Sequence, residues 1–227
     1  MALLGKAALA MWWDIAPEMR SEFEHWHSHE HFQERLGVPG FRRATRWSSA
    51  ENDEGFFVMY ELEDHGVLAS APYAARLNAP TPWSTRLMPQ HRNMVRSQCR
   101  VLESIGAATA SHALTIRLSP RAGEEAPLRQ AVAQLSRAVW MRAGLVGMHL
   151  LRHDTPALAA TTEQKIRGNA DGVADWVVVV TGYDEPALRT LADGELSEAA
   201  LRASGAETGT VRHLYRLAHS ATPADVS

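Results

Sequence analysis

The sequence predicts an α+β fold made of two consecutive βαββαβ units in one chain. Two observations carry this. The order of strand and helix signals in the first half recurs in the second, and two strand segments align between the halves. The length of 227 residues leaves room for two units of about 110 residues each, near the common domain size.

The elements follow in order. Ala8–Ile15 is an apolar run with β character. Pro17 and Glu18 open a helix, since proline suits a first helical turn and acidic side chains favour the positive end of the helix dipole. That helix is expected to run unbroken to Leu36. Gly37 ends it and Pro39 prevents its continuation. Phe41–Ser49 is a basic strand carrying Arg42, Arg43 and Arg46. A polar turn leads to the strand Phe56–Leu62. Asp64 is placed to cap a second helix over about Val67–Asn78, which residues 79–84 break. Cys99–Ile105 is the closing strand.

The second half supplies a strand at Ala113–Leu118, a helix at Glu124–Arg142 and strands at Val146–Arg152 and Trp176–Val180. Asp184 and Pro186 start another helix, and Thr210–Leu217 is the last strand. Val146–Arg152 aligns with Pro39–Thr45, pairing Gly147 with Gly40. Trp176–Val180 aligns with Phe56–Tyr60. Thr155–Gly172 is a loop longer than its counterpart. The small-residue stretch Gly106–Ser111 separates the copies, giving units at 1–108 and 109–227. Each unit is ferredoxin-like and has one apolar sheet face to cover. In a tandem chain the two sheets can cover each other as an α+β barrel. The alternative is that each sheet pairs with another chain, which would make a homodimer.

Composition narrows the function classes. A chain that is 45% hydrophobic and 22% charged can build an ordinary globular core. The formal net charge is −3 and no basic stripe is present, which argues against a nucleic-acid partner. The single cysteine, Cys99, fits a reducing compartment and a small apolar strand position. The first ten residues lack the apolar core and cleavage site of a signal peptide, and no apolar run is long enough to span a membrane. A cytoplasmic protein without a membrane partner is expected.

Four of the 11 histidines lie between His25 and His31. At helical spacing, Phe23, Trp26, His27, Glu30 and Glu34 share one face, with His31 beside it. Three readings arise. One is a small-molecule pocket in which His27 or His31 is an acid–base group. Another is a solvated, pH-sensitive helix face. The last takes His27-x-x-Glu30-His31 as an H-x-x-E-H metal motif, with the two imidazoles as ligands. The equivalent helix of the second half, Leu128–Trp140, has no histidine. The fold does not require the cluster, so any site belongs to the first half. Arg46 reads either as a pocket cation or as a partner of Glu30 or Glu34. Asp14 ends the first strand and could orient a histidine.

Trp26-His27-x-x-Glu30-His31, Arg35-Leu36, Pro39-Gly40-Phe41-x-Arg43 and a strand ending in Tyr60-Glu61 together resemble the EthD-like branch of the dimeric α+β barrel proteins. Ser70-x-x-Tyr73-x-x-x-Leu77 and Thr81-Pro82-Trp83-Ser84 extend the likeness, which covers residues 8 to 105. The resemblance implies a cleft between helices and a curved sheet, and small-molecule chemistry that needs neither metal nor organic cofactor. No feature of the sequence singles out a haem ligand. The expected catalytic set is His27, Glu30, His31 and Arg46, with Trp26, Arg43, Tyr73 and Trp83 against the substrate. Tyr73 and Trp83 read equally as core or rim packing. A non-catalytic binding protein of a degradation pathway would use the same cavity. No nucleotide-binding, lipase or disulfide-exchange motif occurs.

Overall fold

Residues 3–154, 161–168 and 170–226 are described by a computed structural model. The first half holds strands β1 (Ala7–Asp14), β2 (Phe41–Ser49), β3 (Gly55–Leu62) and β4 (Arg92–Gly106). Its helices are α1 (Arg20–Trp26), α2 (Phe32–Leu36), α3 (Ala71–Asn78) and α4 (Pro82–Leu87). The second half holds β5 (His112–Leu118), β6 (Leu145–His153), β7 (Trp176–Gly182) and β8 (Val211–Ala221). Between them lie α5 (Glu125–Val139), α6 (Thr162–Arg167), α7 (Glu185–Asp193) and α8 (Glu198–Ala203).

The strands close into one barrel in the order β1-β3-β2-β8-β5-β7-β6-β4, with β4 returning to β1. Every pairing is antiparallel. Within each half the order is the same: β4-β1-β3-β2 and β8-β5-β7-β6. The halves join at two seams, β2–β8 and β4–β6. Each seam pairs the second strand of one half with the fourth of the other. Closure removes the edges that would otherwise present unpaired backbone groups.

Alternation along the strands sorts side chains into an inside and an outside. One apolar cluster draws on all eight strands, from Ala10 and Trp12 through Trp47, Phe57, Cys99, Ala113, Leu151 and Val179 to Tyr215, and fills the barrel. Trp12, Phe57 and Trp47 stack there in series, with centroids 5.1 Å apart at each step. The alternate residues face the helices in two further clusters, one for each half. One end of the barrel interior is polar. Arg43 makes two bonds to the fully buried Glu61, at 2.7 and 3.0 Å. His149 is held there between Ser104 Oγ at 2.9 Å and the Ala107 carbonyl at 3.3 Å.

Several boundaries differ from the sequence reading. The first long helix is not continuous: a π-helical turn, His27–His31, separates α1 from α2, and Phe32 N–H donates to the His27 carbonyl five residues back. Asp64 caps only a short 3₁₀ turn, His65–Ala69. Ser70 then caps α3, whose first turn holds Pro72. Thr81 and Pro82 start α4 instead of merely breaking a helix. β4 begins at Arg92, seven residues before Cys99. The helix expected at Glu124–Arg142 spans Glu125–Val139. The expected loop Thr155–Gly172 contains α6, while its residues 155–160 and 169 lie outside the described ones.

The alignment of the halves also shifts. The structural partner of Gly40 is Gly144, not Gly147. Both precede the second strand of their half with positive φ, +94° and +91°. Both carbonyls accept an N–H from the turn after the third strand: Glu63 at 2.8 Å and Tyr183 at 2.9 Å. A Cβ on Gly40 would lie 2.4 Å from Val67 Cγ2, and one on Gly144 would lie 2.5 Å from Ala187 Cβ. Strain and clash therefore coincide at each glycine. Gly40→Ala and Gly144→Ala should each lower unfolding stability by about 1–3 kcal/mol, read as a shift in denaturation midpoint at constant slope.

Candidate active site

A cavity of about 120 Å³ lies in the first half, between the helix-facing side of the sheet and the helices. β1 supplies Leu9, Met11 and Trp13, β3 supplies Tyr60, and β4 supplies Met94, Arg96 and Gln98. The π-helical turn brings His27 and His31, and α2 brings Arg35. Tyr73 comes from α3, and Met88 and His91 come from the turn after α4. Leu77 of α3 and, from the second half, Thr161, Glu163, Gln164 and Arg167, at and within α6, complete the wall.

The π-helical turn shapes this arrangement. An extra residue in one helical turn changes the angular phase of every residue after it, and such turns recur at functional sites. Here His27 and His31 are buried. Their rings stack at 5.3 Å, and His31 also packs on Trp26 at 4.6 Å. His25 and His29 are exposed, so the solvated-face reading holds for that pair alone.

Glu30 is not among the residues lining the cavity. Its Oε1 accepts from Trp26 Nε1 at 3.0 Å, Thr81 Oγ1 at 2.6 Å and Ser84 Oγ at 3.3 Å. It fastens the start of α4 to the π-helical turn, so orienting a histidine is not the geometry found for it. Trp26 is buried behind the histidines, away from the lining. Trp83 is half-buried at 5.3 Å from the His25 ring and is also outside the lining. Arg43 serves the barrel interior through Glu61. Asp14 accepts from Asn93 at 2.8 Å and holds no histidine. Of the expected substrate contacts only Tyr73 lines the cavity, and its hydroxyl accepts from Arg96 at 3.2 Å.

Arg46 is buried and pairs with neither Glu30 nor Glu34. Its Nη1 donates to His27 Nδ1 and to the Glu24 carbonyl, each at 3.3 Å. Burial lowers its pKa to about 10, which still leaves it cationic at neutral pH.

Sequence reasoning missed His91, Arg35 and Glu163. Arg35 Nη2 is bidentate to Glu163, at 2.6 Å to each oxygen, and both residues are buried. Burial opposes the charge on Arg35, and Glu163 together with the Tyr73 and Tyr60 hydroxyls more than restores it. This pair docks α6 onto α2. His91 Nδ1 lies 3.1 Å from the Met88 carbonyl.

The electrostatics favour neutral imidazoles. Burial, then the Arg46 charge, holds the His27 pKa well below its usual value. Burial, then Arg35, does the same to His31. Burial, then Arg167, lowers His91 to about 4. All three rings are therefore uncharged at neutral pH. His27 and His91 each show one geometrically defined hydrogen bond among the described residues, both through Nδ1, and the Leu87 carbonyl adds to the Met88 carbonyl at His91. Tyr60 also lines the cavity. Its hydroxyl is buried without a partner among those residues, and burial raises its pKa. Perturbed ionisable groups gathered in one cavity are a physical signature of a functional site.

Among the described residues, no three or more His, Cys, Asp or Glu side chains are grouped to hold a metal ion. The H-x-x-E-H spacing therefore does not bring a ligand set together: His27 Nδ1 faces a guanidinium and Glu30 is engaged elsewhere. No helix among the described residues is long and apolar enough to cross a membrane.

No protein-family model and no curated protein sequence matches this chain. Solved structures share its fold. An anthrone oxidase-like protein superposes with a TM-score of 0.63 at 10% identity, covering 100% of this chain and 98% of its own. A Fusobacterium nucleatum protein proposed to be a monooxygenase gives 0.62 at 8% identity, covering 97% and 96%. A haem-binding protein from Thermus thermophilus gives 0.53 at 10% identity, covering 95% and 92%. The fold is thus that of the dimeric α+β barrel, ferredoxin-like proteins, completed within one chain. Haem does not fit the cavity found here. A volume near 120 Å³ is on the scale of a benzene-sized hole, and a porphyrin is several times larger.

Two outcomes are expected from this geometry. Replacing Glu163 with Ala leaves Arg35 buried and unpaired, so stability should fall by about 3–5 kcal/mol in chemical denaturation. The buried histidines make the fold acid-sensitive. His27 and His31 are depressed, and His91 and His149 sit near pH 4. Between about pH 6.5 and 4 the unfolded chain binds protons that the folded chain refuses. Stability is therefore full above that window and falls as pH drops through it. Each pKa held near 4 instead of 6.5 is worth on the order of 3 kcal/mol, measurable as Tm against pH.

Proposed function

We propose that this chain is a small-molecule enzyme that moves a proton on a ring-sized, weakly acidic compound without an organic cofactor. The observation that carries the reading is one cavity lined by three neutral imidazoles, His27, His31 and His91, of which His27 and His91 have their Nδ1 atoms engaged by Arg46 and the Met88 carbonyl. A neutral imidazole facing a ligand can accept a proton, and Tyr60, kept protonated by burial, can donate a hydrogen bond to an oxyanion formed beside it. The volume suits a single ring.

Oxygenation is a natural extension of such chemistry. Proton loss from an activated CH₂ gives a carbanion that dioxygen can oxidise to a ketone with release of water, and no electrons are needed from a flavin or metal. The monooxygenase and anthrone oxidase-like descriptions of the structural neighbours support this direction. The matching strand order of the halves supports descent from a tandem pair, with units at 1–108 and 109–227, and a site retained in the first. The lone buried thiol of Cys99 supports a reducing, cytoplasmic location.

The test is a screen of single-ring phenols, enolisable ketones and aromatic acids. Binding is read by thermal shift, and turnover by deuterium incorporation from D₂O. A ligand should raise Tm and exchange faster than in buffer. The His27→Gln/His31→Gln/His91→Gln variant should lose about 10²- to 10⁴-fold of that rate, the usual worth of acid–base catalysis. Binding with no exchange above buffer would make the chain a carrier instead of an enzyme.

A further inference from the structure

We propose that His27 and His91 are locked in opposite tautomers, His91 Nε2 being the proton acceptor and His27 Nε2–H the donor, so that the cavity takes a cyclic ketone by its carbonyl oxygen and an adjacent C–H. This rests on the proton-transfer reading above and assigns its parts.

The assignment comes from what each partner can do. A carbonyl oxygen only accepts, so the 3.1 Å contact from His91 Nδ1 to the Met88 carbonyl, the one contact of that ring with hydrogen-bond geometry although the Leu87 carbonyl also acts on it, puts the proton on Nδ1. A neutral ring carries one N–H, so His91 Nε2 keeps a bare lone pair. A guanidinium only donates, so the 3.3 Å contact from Arg46 makes His27 Nδ1 an acceptor and puts the proton on Nε2. Arg46 is fixed in turn by the Glu24 carbonyl at 3.3 Å and by the Phe23 ring, 5.9 Å from its Cζ. His31 Nδ1 has no hydrogen bond among the described residues and lies 3.9 Å from Glu34 Oε2, too far to fix its tautomer.

Both rings lean on the same three aromatic side chains. His27 lies 5.7 Å from Trp13, 5.2 Å from Phe23 and 5.7 Å from Trp26. His91 lies 5.1, 5.7 and 6.0 Å from them. Donor and acceptor are thus neighbours on one wall. A ligand offering only an acceptor, or only an acidic hydrogen, would leave one nitrogen unmet. A ketone with an α-hydrogen meets both.

The step balances without an added reactant. His91 Nε2 takes the α-proton, the C–H pair becomes the C=C of an enolate, and the oxygen charge is held by His27 Nε2–H. Return of the proton to carbon restores His91. Arg46 touches no ligand in this scheme and is a positioning residue acting through His27.

The experiment has two arms. ¹⁵N-histidine NMR of the unmodified protein at neutral pH should show His91 protonated at Nδ1 and His27 at Nε2. In Arg46→Gln, His27 should lose its preference while His91 keeps its own. Cyclohexanone in D₂O should exchange its α-hydrogens faster than in buffer, and His91→Gln should slow this by about 10²-fold or more. A His91 proton on Nε2, or a His27 proton on Nδ1, overturns the tautomer assignment whatever the exchange rate. The expected tautomers with no exchange of cyclohexanone above buffer overturn the proton-transfer reading instead.

Discussion

Closure of the barrel at its two seams is the constraint on which the rest depends. A four-stranded sheet on its own would leave two edges and one bare apolar face. Pairing β2 with β8 and β4 with β6 removes the edges, and the Trp12–Phe57–Trp47 stack and its neighbours fill the face. With the interior committed to packing, chemistry is pushed to the outer side, where helices lie on the sheet. Only there can a cavity open without unpairing the ladder.

That cavity combines apolar walls with ionisable groups at low dielectric, where charge is costly unless paired. Two solutions coexist. Arg35 and Glu163 form a buried ion pair, with Arg35 Nη2 lying 2.6 Å from both carboxylate oxygens. The histidines stay neutral because burial and nearby arginines disfavour a further positive charge. Neutral bases beside fixed cations form an environment in which an anion generated from a ligand is the species best accommodated.

Much of the architecture was legible in the sequence. The strands announced themselves by alternation and by β-branched or aromatic runs, as in Phe56–Leu62 and Trp176–Val180. The cap at Asp184 followed from side-chain chemistry, whereas Asp64 caps a 3₁₀ turn and leaves the helix after it to Ser70. Within the site, His27 and His31 were found from clustering and from the contrast with α5. The misplaced residues needed three dimensions. A π-helical turn has no simple composition, so Glu30 was placed on the histidine face. His91 sits after Met88-Pro89-Gln90, a stretch without periodicity, and its only local sign was the proline turn before a basic strand. Glu163 lies 128 residues from Arg35 in sequence, and nothing local links them. The glycine alignment failed because Gly144 and Gly147 both flank the start of β6, and only strand register separates them.

The π-helical turn also sets how the two halves compare. The regular helix α5 and the interrupted α1–α2 helix differ in winding as well as in residue type. Transplanting the histidines onto α5 at matched positions would therefore not recreate the pocket, since the grafted rings would emerge at the wrong azimuth. The asymmetry between the halves is written in helical phase, and no exchange of side chains alone can reverse it.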